Sequence, residues 1–360
     1  MKSMKVFVAL SGGIDSAIAA AQLLANGYQV TGIHMETWQH TESKEAESDN
    51  SNAISLAKQT ADLLGIPFVL VNVREQFYKQ VVRTFIRNFL AGKTPNPCLF
   101  CNPQIKWGIL QSYALNHGAD FFASGHYARI EHSDSGHVRL LRGVDKKKDQ
   151  SYVLSMLSQN QLRKSLLPLG EFLKEEVWSE ARRLGLILVD QEESQDLCFL
   201  GSLNYRDFLR RYAPHAISPG EIVNHKGKVL GEHEGLAFYT IGQRKGIRVA
   251  APEPYFVIRK DREKNQLVVG FADEALESWL QADRANWIAG IPPVEGKTYS
   301  VMIRYRANPV FAVLSCVSNE KFRLEFINEV RGITPGQVAV LYNGEVCLGG
   351  GIIQTSSSSK

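Results

Sequence analysis

Leu10 to Ala17 reads LSGGIDSA, and its flanks leave little choice about the fold that can hold it. A compact apolar run, Lys5 to Leu10, precedes it. An alanine- and leucine-rich stretch, Asp15 to Ala25, follows and closes with Asn26-Gly27, a helix stop. Strand, glycine loop and helix in direct succession is where α/β folds bind phosphate. Glycines let the backbone approach an anion, and a helix start offers free N–H groups and the positive end of its dipole. Ser11 and Ser16 add hydroxyls. Asp15 is out of place beside a phosphate unless it caps the helix or meets a cation. The loop lacks the Gly-Lys-Ser/Thr of a Walker A sequence and the G-x-G-x-x-G of dinucleotide folds.

The alternation continues. Gln29 to Met35 reads as a second strand, a helix runs from about Ala53 to Leu64, and Phe68 to Val73 is a third strand. Helices over Glu75 to Leu90 and up to about Asn116 lead to the strand Phe121 to Ser124. The acidic stretch Thr37 to Asn52 reads as an exposed, mobile loop. Strands separated by helices of this length mean βαβ units and a parallel sheet. After about Ser202, Pro and Gly become frequent and short strands replace helices. From about Asn286 the pattern is mostly β, which suggests a small barrel or sandwich. The expected fold class is therefore α/β. Its parts are an N-terminal parallel-sheet domain (1–204), a small central mixed domain (205–282), a C-terminal β-barrel-like domain (283–356) and a disordered tail (357–360).

A chain of 360 residues suits two or three domains, and a 44% hydrophobic content supplies their cores. The opening MKSMKVFVALSGG reads as a buried strand, neither a leader nor a membrane span. A net charge of +4 permits a polyanionic partner without requiring one. The five cysteines are odd in number, which argues against a secreted disulfide framework and for a cytoplasmic protein with free thiols. Two of them stand three apart in PNPCLFCNPQIKW, Pro95 to Trp107, and a CxxC in such a setting binds metal or handles sulfur. Cys316 and Cys347 read as core residues of β-strands.

Further segments narrow the choice: TPNPCLFCNPQIKW (94–107), SGHYAR (124–129), KKDQSYVL (147–154), SQDLCFL (194–200), YTIGQRKG (239–246), IRYRANP (303–309) and TPGQVAVLYNGEVCLGGG (334–351). LSGGIDSA resembles the loop of the ATP pyrophosphatase (PP-loop) superfamily. All the segments, in this order and over essentially the whole chain, resemble the tRNA-specific 2-thiouridylases of bacterial and organellar type. The resemblance implies that ATP, with Mg2+, adenylates the 2-carbonyl oxygen of the wobble uridine. Sulfur then replaces that oxygen, and AMP and pyrophosphate are released. A uracil carbonyl is a poor electrophile, and an AMP leaving group removes that barrier. By family position, ATP would lie against Ala9, Leu10, Ser11, Gly12, Gly13, Ile14, Asp15, Ser16, Met35 and Gly125. Cys101 would be the nucleophile beside the base, and Cys198 would carry the persulfide received from a sulfur-donor protein. Asn96, Pro97 and Cys98 would line the target base. His126, Lys148, Asp149, Gln150, Arg304, Tyr305 and Gln337 would contact the anticodon stem-loop of tRNA. Lys146, Lys147, Arg244, Lys245 and Arg306 are further cations within the matching segments.

One position departs from the pattern. Many members of that family carry Asp where this chain has Cys98, so the role given to that carboxylate is open here. The change makes three thiols available, and iron–sulfur clusters are held by thiolates. Other tRNA thiolases of the superfamily use a CxxC with a distant Cys in this way. Two readings stand side by side: Cys98, Cys101 and Cys198 as ligands of a 4Fe-4S cluster that binds sulfide, or a metal-free persulfide relay with Cys98 a bystander. The extra thiol tilts the choice slightly to the cluster. Zinc fits less well, because a closed site wants four ligands. Two rivals lie outside this chemistry. A PP-loop ligase acting on a small molecule would need neither Cys101 nor Cys198. A noncatalytic RNA-binding or sulfur-carrier protein would not need an intact LSGGIDSA.

Overall fold

The computed structural model describes residues 3–38, 44–133, 136–186, 197–201 and 203–356. The first strands are β1 (Lys5–Ala9), β2 (Gln29–Glu36), β3 (Phe68–Asn72), β4 (Phe121–Ser124), β5 (Ala128–His132), β6 (Val138–Arg142) and β7 (Ser165–Leu166). Five of these form one sheet in the order β3-β2-β1-β4-β7, with every neighbouring pair parallel. The chain winds outward from β1 to β3, then returns to add β4 on the other side of β1. The carboxyl ends of β1 and β4 therefore form a topological switch point, where open α/β sheets hold their ligands.

Helix α1 (Ile14–Ala25) buries Ile18, Ala19 and Ala20 completely against the sheet, which its small residues allow. Helix α2 spans Lys44–Leu64 and so starts well before Ala53, inside the stretch expected to be a mobile loop. Its first turns carry charged and polar residues with no apolar stripe to read. The later turns supply the packing, through Ala57 and Ala61, both fully buried. Residues 39–43 of the expected loop, and the 357–360 tail, lie outside the described residues. The helical stretch Arg74–Leu90 contains a π-helical segment, Tyr78–Val82. The stretch Cys98–Asn116 contains a longer one, Asn102–Leu110. Trp107, in that second segment, donates its indole N–H to Ser165 Oγ (2.7 Å), which ties the segment to β7.

The central sheet comprises β8 (Gly220–Asn224), β9 (Val229–His233), β10 (Phe256–Asp261) and β11 (Gln266–Gly270), in the order β10-β11-β8-β9. The last strands are β12 (Leu276–Trp287), β13 (Thr298–Met302), β14 (Val310–Ser315), β15 (Lys321–Arg331), β16 (Val338–Asn343) and β17 (Val346–Ser356). They run β12-β15-β14-β13-β16-β17 and close on themselves through a β12–β17 pairing, so this unit is a barrel. The hairpin β5–β6, from the N-terminal half of the chain, adds to the outside edge of β17. The main core is likewise shared. Tyr152 and Leu140 pack in one cluster with Val338, Tyr342 and Cys347, and the Tyr152 hydroxyl donates to the Val338 carbonyl (2.9 Å). Cys347 is buried as expected. Cys316 is not: it lies just past β14, exposed, at φ +48°, because the strand ends at Ser315 and the chain turns there.

Candidate active site

A cavity of ≈ 580 Å³ opens at the switch point, within the size range of small-molecule sites. One wall is the glycine loop. Leu10 N–H donates to the Ile33 carbonyl (2.9 Å), and Nδ1–H of His34 donates to the Leu10 carbonyl (2.7 Å). Ser16 Oγ donates to the Gly13 carbonyl (2.8 Å) and accepts from Ser11 N–H (3.0 Å), so the two serines brace the loop. Among the described residues no side chain caps the start of α1, whose N–H groups stay available to an anion. Gly12 sits at φ +88°, and a Cβ there would meet the Ala53 carbonyl oxygen at 2.9 Å. Gly125, just past β4, touches the loop from the other side: a Cβ on it would lie 2.8 Å from the Asp15 carbonyl. Asp15 meets a cation. Its Oδ1 pairs with Lys174 Nζ (2.6 Å) and accepts from the Tyr127 hydroxyl (2.7 Å). Ala9, Leu10, Ser11, Asp15, Ser16, Met35 and Gly125 all line the cavity.

The opposite wall carries sulfur. Pro97 precedes the short helix Cys98–Cys101 and accepts the Cys101 N–H (2.8 Å), while Asn96 Oδ1 accepts the Cys98 N–H (3.1 Å). Cys198 comes from a turn anchored by its neighbours. Phe199 and Leu200 are buried, and the Phe199 ring packs on Phe85 (5.1 Å) and Phe208 (5.5 Å). Thus Cys98, Cys101 and Cys198, far apart in sequence, line one cavity with the loop. Protein surrounds all three sulfurs. Burial pushes Cys101 up to about 12 and Cys198 up to about 11, and raises Cys98 as well. Cys98 and Cys198 are nevertheless exposed within the cavity, so the water reaching them makes this push smaller than full burial would give. Among the described residues no three His, Cys, Asp or Glu side chains come together closely enough to hold a metal ion. The three thiols share one chamber. His126 also lines the cavity. It pairs with Ser124 Oγ (2.9 Å), and burial holds its ring neutral.

The residues expected at the RNA divide. Gln150 lines the cavity and its Oε1 accepts the Tyr127 N–H (2.9 Å). Asp149 is a structural node that accepts from Gly143 N–H, Ser151 N–H and Ser151 Oγ (each 3.0 Å) and pairs with Arg142 (3.2 Å). Lys148 is half-buried beside Asp145, which accepts its N–H (3.2 Å). Arg304 is turned inward and donates to the Ile241 carbonyl (2.5 Å) and to Thr334 Oγ1. Tyr305 lies against the Tyr152 ring (5.9 Å) and within electrostatic range of Cys98. Gln337 donates to the Thr94 carbonyl (2.7 Å), and Thr94 N–H donates to the Pro335 carbonyl (2.9 Å). Thr94 Oγ1 also reaches Thr240 Oγ1 (3.3 Å) in the central unit. The segments YTIGQRKG and TPGQ thereby hold the entry to the cysteine loop. Arg244 and Lys245 stand exposed beside this joint. Sequence reasoning missed Lys106, Trp38 and Arg211, which line the cavity, and Lys174, which pairs with Asp15. Only Lys106 had a signal, as the lone cation of the cysteine segment.

The loop, the uncapped helix and the flanking strand ends define an α/β nucleotide-binding enzyme of the PP-loop ATP pyrophosphatase class. Residues 4–202 match the family described as tRNA methyl transferase HUP domain. Residues 206–271 match its PRC-barrel domain, and 277–353 an aminomethyltransferase beta-barrel domain. A tRNA-specific 2-thiouridylase of Carboxydothermus hydrogenoformans is 43% identical over 97% of each chain, and that of Heliobacterium modesticaldum is 44% identical over 97% of this chain and 92% of the relative. The chain belongs to the tRNA-specific 2-thiouridylase family. Among solved structures, a 4-thiouridine synthetase–RNA complex with bound ATP matches with TM-score 0.34 and 16% identity, over 59% of this chain and 50% of that one. That likeness is too slight to bear on function.

Proposed function

We propose that this chain is an ATP-dependent tRNA-uridine 2-sulfurtransferase acting on the wobble uridine. The observation that carries the reading is the single cavity in which the phosphate loop faces Cys101 and Cys198. The family descriptions speak of methyl transfer and the relatives of thiolation; the loop favours thiolation, because activating a carbonyl oxygen is required for its replacement and not for methylation. ATP, brought with Mg2+, lies along Ser11–Ser16 with Met35 and Gly125 at its edges. The uracil O2 attacks the α-phosphorus and pyrophosphate leaves. The terminal sulfur of a Cys198 persulfide then forms a bond to C2, and AMP departs with the oxygen. The Cys101 thiolate attacks the remaining S–S bond, which frees the thiouridine and leaves a Cys101–Cys198 disulfide for an external dithiol to reduce. Thiolate is the reactive form in that last step.

The sulfane sulfur of the Cys198 persulfide comes from a sulfur-donor protein, whose own persulfide passes it to the Cys198 thiolate. The target base is flipped out of the anticodon loop to reach the cavity, beside Asn96, Pro97 and Cys98. Exposed cations such as Lys146, Lys147, Arg244 and Lys245 take the phosphates, with shape read by the barrel. Among the described residues no helix is long and apolar enough to cross a membrane, and the free thiols suit a cytoplasmic setting. The test is 2-thiouridine formation with unmodified tRNA, ATP and a persulfide donor. Cys101→Ser and Cys198→Ser are each expected to abolish product while ATP binding is retained. Product formed by Cys101→Ser at the wild-type rate would remove the relay.

A further inference from the structure

The cavity asks its thiols to do something that burial opposes. Sulfur transfer uses anionic sulfur, and the protein around Cys101 and Cys198 disfavours that form. Lys106 is the cation placed to offset this. It lies in the π-helical segment Asn102–Leu110, where i→i+5 hydrogen bonding stacks each residue over the one five before it. Cys101 is the residue just before this segment, so the wider winding turns Lys106 closer to the Cys101 side of the helix. In an α-helix of the same sequence the two would diverge around the axis. The Lys106 side chain is half-buried and lines the same cavity as the three thiols. Its charge favours the anionic form of Cys98, Cys101 and Cys198 and the neutral form of His126. The other charged or titratable groups lining the cavity are Asp15, which is taken up by Lys174, His34, which is bonded to the Leu10 carbonyl, His126 and Arg211.

We propose that Lys106 is the positioning residue for anionic sulfur: its ammonium holds the Cys101 thiolate and the Cys198 persulfide anion ready beside the phosphate loop. The inference rests on the sulfur-transfer reading, but it makes a demand of its own that needs neither tRNA nor ATP. The thiol proton leaves to solvent, and Lys106 forms no bond during the reaction.

The experiment is site-resolved alkylation of the full chain by iodoacetamide near neutral pH, read by mass spectrometry, in the wild type, Lys106→Met and Lys106→Arg. Exposed Cys316 serves as the internal control. Loss of the cation is expected to slow alkylation of Cys101 and Cys198 about tenfold, equivalent to one pKa unit, with Cys316 unchanged. Arg should restore most of the rate. In turnover, Lys106→Met should lower kcat and leave the KM for ATP near the wild-type value. Equal alkylation of Cys101 and Cys198 in the wild type and Lys106→Met, with the Cys316 rate also equal, overturns the proposal. If Met disrupts the fold, circular dichroism and the Cys316 rate will reveal it, and Lys106→Gln then decides by the same readout. Failure of the relay itself appears elsewhere, as thiolation surviving in Cys101→Ser, and does not alter the alkylation result.

Discussion

Asp15 shows how far a single residue can be read before its partners are known. A carboxylate inside a phosphate loop demands a cation or a cap, and that demand is visible in LSGGIDSA. Which cation answers it is not, because Lys174 lies 159 residues away and reaches Asp15 only through the fold. Arg304 makes the opposite point. Its place in a basic segment suggests an RNA contact, yet its guanidinium is spent on Ile241 and Thr334, and only the packing of the barrel on the central unit reveals that. Lys260 is a third case, with a measurable consequence. Among the described residues its buried Nζ has no hydrogen-bond partner, and burial lowers it to about 7. The folded value lies below the unfolded one. From about pH 7 to about pH 10 the unfolded chain therefore binds a proton that the folded chain does not, and stability rises with pH across that window. Lys260→Met is expected to stabilise the fold by on the order of 1–3 kcal/mol near neutral pH and so raise the melting temperature, with the gain fading towards pH 10. Melting curves at the two pH values check this. An equal gain at both would place the effect in packing instead.

At the scale of elements, the parallel sheet is legible because each strand is a short apolar run and each crossover has its own helix signals. The start of α2 is not, because Lys44 to Asn52 is mostly charged and polar and carries no apolar period. The π-helical segments are equally hidden. Their extra residue per turn is imposed by what they pack on, such as the Trp107–Ser165 contact, and leaves no mark in composition. The close approach of β4's end to the glycine loop is where an element-scale prediction falls. Gly125→Ala places a methyl 2.8 Å from the Asp15 backbone, so the loop or the strand end must shift. A clash of this kind costs about 1–3 kcal/mol. Because the clash falls on the backbone of the loop that faces the nucleotide, the loss should appear as an ATP KM raised roughly tenfold or more, with little change in melting temperature. Steady-state kinetics at saturating tRNA measures it; an unchanged KM would detach Gly125 from the nucleotide.

At the scale of the whole molecule, the expected succession of α/β, central and barrel parts matches the three sheets, but the parts are not independent. The hairpin β5–β6 extends the barrel sheet, and the main hydrophobic cluster runs from Phe77 and Tyr152 to Val338 and Cys347. No local pattern announces such sharing, since β6 reads as an ordinary short strand wherever its partner lies. A chain ending after Phe271 would expose Leu140, Tyr152 and the β6 edge, and is expected to be insoluble or to lose its near-UV circular dichroism rather than persist as a working ATPase half. A soluble, ATP-binding truncation would contradict that. The same sharing lets Gln337 and Thr240 grip the cysteine loop at Thr94, so the sulfur wall of the cavity depends on all three parts.

In the proposed mechanism one cavity unites nucleotide activation with a metal-free sulfur relay. The decisive comparison is ATP-dependent 2-thiouridine formation in unmodified tRNA by anaerobically metal-stripped protein given a persulfide donor, with magnesium restored alongside ATP, set against cluster-reconstituted protein given sulfide. Full activity is expected in the stripped protein, lost in Cys198→Ser. Activity only after reconstitution would contradict the relay and make Cys98, Cys101 and Cys198 ligands of a cluster.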